Sequence, residues 1–230
     1  MFLFGKHYGA SICEISENDF HKNVAYLIVL GTSEEVTIID KSGTHYSGFA
    51  LMVKPMVEHK IVKSSSLVCN VFVAPHSAFA ASLKQFYSEN GILQLNPSSL
   101  PFNSKMATDR IHHILDEIMV DSNTNIDPRL AAVLDRLDEA PLKSSIADIA
   151  AQCDLSPSRL RALAKKQIGV SLSALFLWRK LVKSAEVLYA GASLSEAAQA
   201  GGFSDQAHFS RTMRQMFGIT PGNSTHTLNY

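Results

Sequence analysis

Ser193-Leu194-Ser195-Glu196-Ala197-Ala198-Gln199-Ala200-Gly201-Gly202-Phe203-Ser204-Asp205-Gln206-Ala207-His208-Phe209 decides how this chain is read. Ser193 with Glu196 three positions on is a capping box, the start of a helix. Gly201-Gly202 permits a tight turn. Ser204 is placed to cap a second helix, whose inner stripe is Phe209, Met213 and Met216. Gln206, Ser210, Arg211 and Arg214 fall on its opposite face. The same order occurs earlier, at Ser145-Ile146-Ala147-Asp148-Ile149-Ala150-Ala151-Gln152-Cys153-Asp154-Leu155-Ser156-Pro157-Ser158-Arg159-Leu160. There Ser145 pairs with Asp148, a carboxylate variant of the box, and Ile146, Ile149 and Ala150 face inward. Cys153-Asp154-Leu155 makes the turn. Ser156 caps the next helix with Pro157 at its first position, where a missing N–H costs nothing. Leu160 and Leu163 point to the core, leaving Ser158, Arg159, Arg161, Ala162, Lys165 and Lys166 on or beside the outer face.

Each copy is a capped helix, a turn and a second capped helix. Between them, Leu172 to Tyr189 forms one amphipathic helix that stops at Gly191. About 18 residues at a 1.5 Å rise give roughly 27 Å, close to the ~34 Å between successive major grooves on one face of a duplex. One such unit could be a plain three-helix packing motif. Two units with basic outward faces point to duplex DNA, one helix for each groove.

The charge distribution agrees. The net charge of the 230 residues is zero, so bulk electrostatics alone does not suggest nucleic acid. Residues 156–216, however, hold 9 Lys and Arg against 3 Asp and Glu, and a locally basic segment binds phosphates whatever the whole-chain balance. At 46% hydrophobic and 18% charged residues, the chain is an ordinary folded protein and not a disordered one. Cys13, Cys69 and Cys153 are odd in number and far apart, which excludes a disulfide framework and reads as reduced packing thiols. No apolar run approaches a membrane span or a signal peptide. The expectation is a soluble cytoplasmic protein with no membrane partner.

Residues 1 to about 85 read as short strands. Val24–Leu30 ends at Gly31, Glu35–Asp40 precedes a Lys41-Ser42-Gly43 turn, Phe49–Val53 stops at Pro55, and Leu67–Ala74 stops at Pro75. Such spacing predicts a small sandwich or barrel. Ala78–Tyr87 reads as a short helix, and Ala107–Val120 as a longer one with Ile111, Ile114, Leu115, Ile118 and Met119 on one stripe. That stripe either packs on its own sheet or pairs with a second copy in a homodimer. Asp121–Asn125 makes the best boundary, dividing the chain into a domain over 1–122 and another over 127–230.

The residues from about Asp127 to Pro221 resemble the AraC/XylS family of bacterial transcription regulators. The resemblance is densest at Leu155-Ser156-Pro157-Ser158-Arg159-Leu160, Gly169-Val170-Ser171, Gly202-Phe203-Ser204-Asp205-Gln206, His208-Phe209-Ser210-Arg211 and Phe217-Gly218-Ile219-Thr220-Pro221. It implies an α+β chain. Its amino-terminal half would be a cupin-like β jelly roll with trailing helices. Its carboxy-terminal half would be an all-α domain of two helix-turn-helix subdomains joined by a long helix. It also implies a regulator that binds promoter DNA, with RNA polymerase as a partner, on the nucleoid of a bacterial cell.

Base-edge contacts implied by the resemblance are Ser158, Arg161 and Ala162 in the first unit, and Gln206, Ser210 and Arg211 in the second. Arg pairs bidentately with guanine and Gln with adenine, so these types suit direct readout. Arg159, Lys165, Lys166, Arg179 and Arg214 read as phosphate contacts or solvated charges. Asp205 and His208 stay open, His208 between capping, packing and phosphate contact. The chain also departs from the family pattern. Ala164 and Met213 stand where Phe is usual, Asp154 replaces a turn Gly, and Ala162 stands where Arg is frequent, which thins readout in the first unit.

Gly48–His59 looks like a degenerate second cupin motif, while the first motif, with its His-x-His pair, is absent. His7, His21, His45, His59 and His76 could converge on an ion, but packing or surface roles are the simpler reading. The expectation is therefore a roll with no metal and no cofactor, no catalytic residue and no enzyme activity. Its interior could take a small apolar or mixed-polarity effector. Two other functions compete with an effector-responsive activator. One is a DNA-architectural or partner-regulated protein with no effector. The other is a cupin-type enzyme, or a Cys-dependent alkyl-transfer protein, with a DNA-binding appendage.

Overall fold

The computed structural model of the protein describes residues 2–5, 7–15, 18–86, 91–103, 108–120, 126–139, 145–151 and 155–222. The boundary expected at Asp121–Asn125 and the turn expected at Cys153-Asp154 lie outside the described residues. Contacts group the chain into two compact units, one of 1–122 with 210–230 and one of 123–209.

In the first unit the strands are β1 (Phe2–Gly5), β2 (Tyr8–Ile15), β3 (Tyr26–Gly31), β4 (Val36–Asp40), β5 (His45–Gly48), β6 (Ala50–Val53), β7 (His59–Ile61), β8 (Ser64–Val73) and β9 (Ile92–Gln94). They form a six-stranded sheet in the order β1-β2-β8-β3-β6-β9 and a three-stranded sheet, β5-β4-β7. All the pairings are antiparallel. The strand order jumps along the chain, as expected of a roll and not of a simple meander.

β3 is buried at every position, because both faces of the large sheet are covered. Tyr26, Ile28 and Leu30 face one core with Val71, Val73, Met52 and Leu83. Leu27 and Val29 face the other, with Leu51, Val53, Val68 and Val36 and Ile38 of the small sheet. That two-sided burial explains why Val24–Leu30 reads as a continuous apolar run and does not alternate.

The first core is closed by helices α1 (Ala78–Leu83) and α2 (Thr108–Val120). Ser77 caps α1 by accepting from the Ala80 N–H at 3.1 Å. The helix expected over Ala78–Tyr87 tightens after Leu83 into a 3₁₀ turn over Lys84–Phe86; Tyr87 lies outside the described residues. On α2, Ile111 and Leu115 are buried, and Ile114 and Ile118 pack on the same core. The Tyr8 hydroxyl donates to Asp116 at 2.8 Å. Ile111, Ile114, Leu115 and Ile118 of the α2 stripe thus pack on the core of their own unit.

Four of the five histidines named above fall into two separate pairs, and His45 lies exposed on β5. His21 and His59 sit 4.4 Å apart between ring centroids, and His7 and His76 5.1 Å apart. Among the described residues no group of three or more His, Cys, Asp or Glu could hold a metal ion. Nor is any helix there long and apolar enough to cross a membrane. The Cys69 thiol is pushed up to about 12, mainly by burial, so at neutral pH it is a protonated packing group and not a nucleophile. Cys153 lies outside the described residues.

The second unit is helical: α3 (Pro128–Glu139), α4 (Ile146–Ala151), α5 (Pro157–Gln167), α6 (Leu172–Tyr189) and α7 (Leu194–Ala200). The first four residues of α8 (Gln206–Phe217) also belong to it. Its core is built from Leu130, Val133, Leu160, Leu163, Ala164, Leu175, Leu181 and Ala197.

Candidate nucleic-acid interface

The first pair of helices is set by its caps. The Ser145 Oγ accepts from the Asp148 N–H at 3.1 Å, and Asp148 in turn accepts from the Ser145 N–H at 3.2 Å. The Ser145 hydroxyl, donating to the Asp148 carboxylate at 2.6 Å, and then the Ser145 N–H hold that carboxyl below the usual carboxylate range, and the reciprocal backbone bonds tie down two orphan donors of the helix start. Ile149 and Ala150 are buried as expected, while Ile146 is only half-buried. It occupies the first turn, where the chain is still entering the core.

Ser156 caps α5 by accepting from the Arg159 N–H at 3.3 Å. With Pro157 at its first position, the helix buries Leu160, Leu163 and Ala164 and turns Ser158, Arg159, Arg161, Ala162, Lys165 and Lys166 to solvent. Ser158, Arg161, Ala162 and Lys165 recur at three and four, so they form one outward strip. Lys165 reaches the Gly169 carbonyl at 3.2 Å. Arg179 is half-buried on α6, the long helix between the two units.

Ser193 and Glu196 close a full capping box on α7. The two glycines that follow have different tasks. Gly202 takes φ +68°, the left-handed region that favours glycine. Gly201 is right-handed at φ −79°. Its role is close approach: a Cβ there would lie 1.9 Å from the Ser184 Oγ and 2.6 Å from the Lys180 carbonyl of α6. The Lys180 ammonium donates to the Gly202 carbonyl at 3.2 Å, fixing the turn from the other side. Neither partner on α6 was apparent from the spacing of the motif.

The cap expected at Ser204 is one residue too early. Asp205 holds the place, its Oδ1 accepting from the His208 N–H at 2.7 Å. An ionised carboxylate is the stronger acceptor and suits the positive end of a helix. Ser204 instead donates to Asp205 at 3.0 Å. His208 packs its ring edge-on against Phe203, with centroids 5.1 Å apart, and its Nδ1 lies 3.2 Å from the Ser204 hydroxyl.

Beyond the cap, Phe209, Met213 and Met216 are buried. Gln206 and Arg211 are exposed, Ser210 is half-buried, and Arg214 is exposed. Met213, at a position where the family usually has Phe, therefore fills the same inward place. So does the fully buried Ala164 on α5, with a smaller side chain.

Comparisons with known proteins agree with this geometry. A family profile described as a helix-turn-helix domain matches residues 145–225. Residues 145–225 of the chain therefore form a helix-turn-helix domain. It is a DNA-binding transcription regulator.

The chain is 26% identical over 225 residues to the "probable transcriptional regulator LumQ" of Photobacterium leiognathi, covering 88% of this chain and 90% of that protein. In fold it is similar to ToxT of Vibrio cholerae. One ToxT structure aligns with 97% of this chain and 100% of its own, at 15% identity and a TM-score of 0.59. A second, of unsaturated fatty acid bound wild-type ToxT, aligns with 100% of this chain and 98% of its own at 13% identity and the same score. That likeness extends over the β roll as well as the helices, in keeping with the expected α+β architecture.

Proposed function

We propose that this chain reads a specific promoter sequence through two helices, α5 and α8, placed in adjacent major grooves. The observation that carries the reading is the polar strip along α8. Gln206, Ser210 and Arg211 project from a helix whose start is set by Asp205 and whose other side is buried. The strip of Ser158, Arg161 and Ala162 on α5 is its counterpart. Arg159, Lys165 and Lys166 serve phosphates, which position a protein without reading sequence, as do Arg179 and Arg214. The regulator works without catalysis in the bacterial cytoplasm, on the nucleoid and with RNA polymerase as its protein partner. The DNA-reading domain spans residues 127–230, and the sensing domain spans residues 1–122.

The test is selection of binding sites from a random duplex pool, followed by Gln206→Ala and Arg211→Ala. Each bidentate base contact contributes about 1–3 kcal/mol of discrimination, so each variant relaxes preference at one or two base pairs. Unchanged sequence preference in the double variant rules out α8 as the reading helix. Binding with no preferred site by the unaltered protein favours an architectural role instead.

A small apolar effector completes the proposal. Ser11 and Asn70 form a buried cross-strand pair on β2 and β8, on the same face as the second core. The Asn70 amide donates to the Ser11 hydroxyl at only 3.4 Å, and its Oδ1 has no hydrogen-bond partner. A buried acceptor without a donor is costly, and a ligand with an apolar body and one donor group suits it. Unsaturated fatty acids, the class named for one ToxT structure, are the first probes, with the matching fatty alcohols and amides beside them, because a carboxyl group donates to Asn70 only when protonated while an alcohol or amide donates at neutral pH. A rise in thermal midpoint that scales with ligand concentration supports the assignment, and loss of that rise in Asn70→Leu localises it.

A further inference from the structure

The last turn of α8 lies in the first unit, where it meets the segment from Asn18 to Lys22. The Asp19 N–H donates to the Gly218 carbonyl at 3.0 Å, and the Lys22 N–H to the Gln215 carbonyl at 3.3 Å. Gly218 has φ +73°, and a Cβ there would lie 2.6 Å from both the Asp19 carbonyl and the His21 Nδ1. Phe217 packs edge-on against Phe72 of β8, with centroids 5.1 Å apart.

The receiving segment is itself anchored. Asn18 accepts from the Ile61 N–H of β7 at 3.1 Å. His21 and His59 exchange backbone hydrogen bonds at 2.9 Å. Backbone bonds and a glycine thus specify where the helix end sits. On that frame the Arg214 guanidinium donates to the Asp19 carboxylate, an ion pair whose side chains are 62% and 54% exposed.

We propose that Asp19 is an intramolecular stand-in for a DNA phosphate. A guanidinium makes the same charge-assisted bonds to a carboxylate as to a phosphate, and Arg214 has one such partner at a time in this geometry. While Asp19 holds it, the carboxy-terminal end of the second reading helix lacks its phosphate contact and carries an added negative charge beside it. The exposure of both groups keeps the exchange open, in contrast to a buried pair, whose breaking leaves an uncompensated charge. The segment 18–22 therefore acts as a restraint on DNA engagement by α8. This inference rests on the reading of Arg214 as a phosphate contact.

The experiment uses the full chain and a duplex of about 25 base pairs, the length of two half-sites with flanks, selected from a random pool by the unaltered protein. Affinity is measured by anisotropy for Asp19→Asn, Asp19→Ser, Arg214→Ala and the Asp19→Asn/Arg214→Ala double variant. Both Asp19 variants keep the backbone donor to Gly218, and either one that retains native circular dichroism suffices. Exposed ion pairs contribute little, so the expected gain for Asp19→Asn is about two- to five-fold, and it vanishes in the Arg214→Ala background. Equal affinity of Asp19→Asn and the unaltered protein, with Arg214→Ala weaker, overturns the competition. A gain that persists without Arg214 overturns it too, leaving only general repulsion between Asp19 and DNA. If Arg214→Ala binds as well as the unaltered protein, the phosphate reading of Arg214 itself fails.

Discussion

Gly201→Ala is the sharpest test of how the second helix-turn-helix is held together. Ordinary van der Waals contact begins at 3.4 Å, yet the added Cβ would lie 1.9 Å from the Ser184 Oγ and 2.6 Å from the Lys180 carbonyl. A rotation of Ser184 relieves the first clash. The second is with backbone, so α7 has to retreat from α6 by most of an ångström. Overpacking of this kind costs about 1–3 kcal/mol. Because φ at Gly201 is −79°, Ala also gains about 0.4–1 kcal/mol from a less flexible unfolded chain. The net expectation is a loss of about 1–2 kcal/mol. With a urea dependence of about 1–3 kcal/mol per molar, that lowers the unfolding midpoint of the helical signal by about 0.3–2 M. Ser184→Ala provides the control. Its hydroxyl is buried without a hydrogen-bond partner, so its removal alone is neutral or stabilising, and in the Gly201→Ala background it recovers some of the loss but not the carbonyl clash. A Gly201→Ala midpoint equal to that of the unaltered protein, with no coupling to Ser184, would refute the close approach of the two helices.

The corrected cap on α8 predicts that Asp205→Ala costs about 1 kcal/mol and weakens DNA binding, while Ser204→Ala costs less. The reverse order in paired denaturation curves restores Ser204 as the cap. The buried His21–His59 pair predicts acid sensitivity. Burial, and then the neighbouring His21, pull His59 down from 6.5 to about 3, and burial lowers His21 as well. The unfolded chain thus binds more protons than the folded one below about pH 6.5. The stability His59 contributes is complete above that pH and declines as pH falls toward 3, with a slope approaching about 1.4 kcal/mol per pH unit for one proton. His59→Gln flattens the stability–pH profile over that window, and an unchanged slope shows that His59 is not the group titrating.

Much of the helical half was legible because its signals are local. Ser156-Pro157, Ser193 with Glu196, and the left-handed Gly191 and Gly202 act within one turn, and α6 begins and ends where its spacing places it. What was illegible depends on residues far apart in sequence. Gly201 looks like turn chemistry until α6 is packed against it. Asp19 carries no signal of its own until Arg214 reaches it, 195 positions away. In the roll, β3, β4, β6 and β8 are apolar enough to announce themselves. β5 and β7 are short strands of mixed polarity, carrying His45, His59 and Lys60. Their pairing with β4 decides their conformation, as tertiary context commonly does for strands.

The two reading helices are unequal, and the cause lies in their packing. On α5 the departures from the family pattern fall on adjacent faces: Ala164 is sealed in the core while Ala162 stands exposed, where it offers a methyl group and no hydrogen bond. Arg161 is then the one side chain of its three base-contact candidates with a bidentate donor set. On α8, Gln206 and Arg211 both have that capacity. Discrimination of about 1–3 kcal/mol per bidentate contact makes the half-site under α8 the more stringent by about one such contact. A base-by-base substitution series across the selected duplex measures this directly. Penalties that are equal in the two halves would mean that the α5 half draws its specificity from DNA shape or from Ser158, and that counting bidentate donors misjudges this protein.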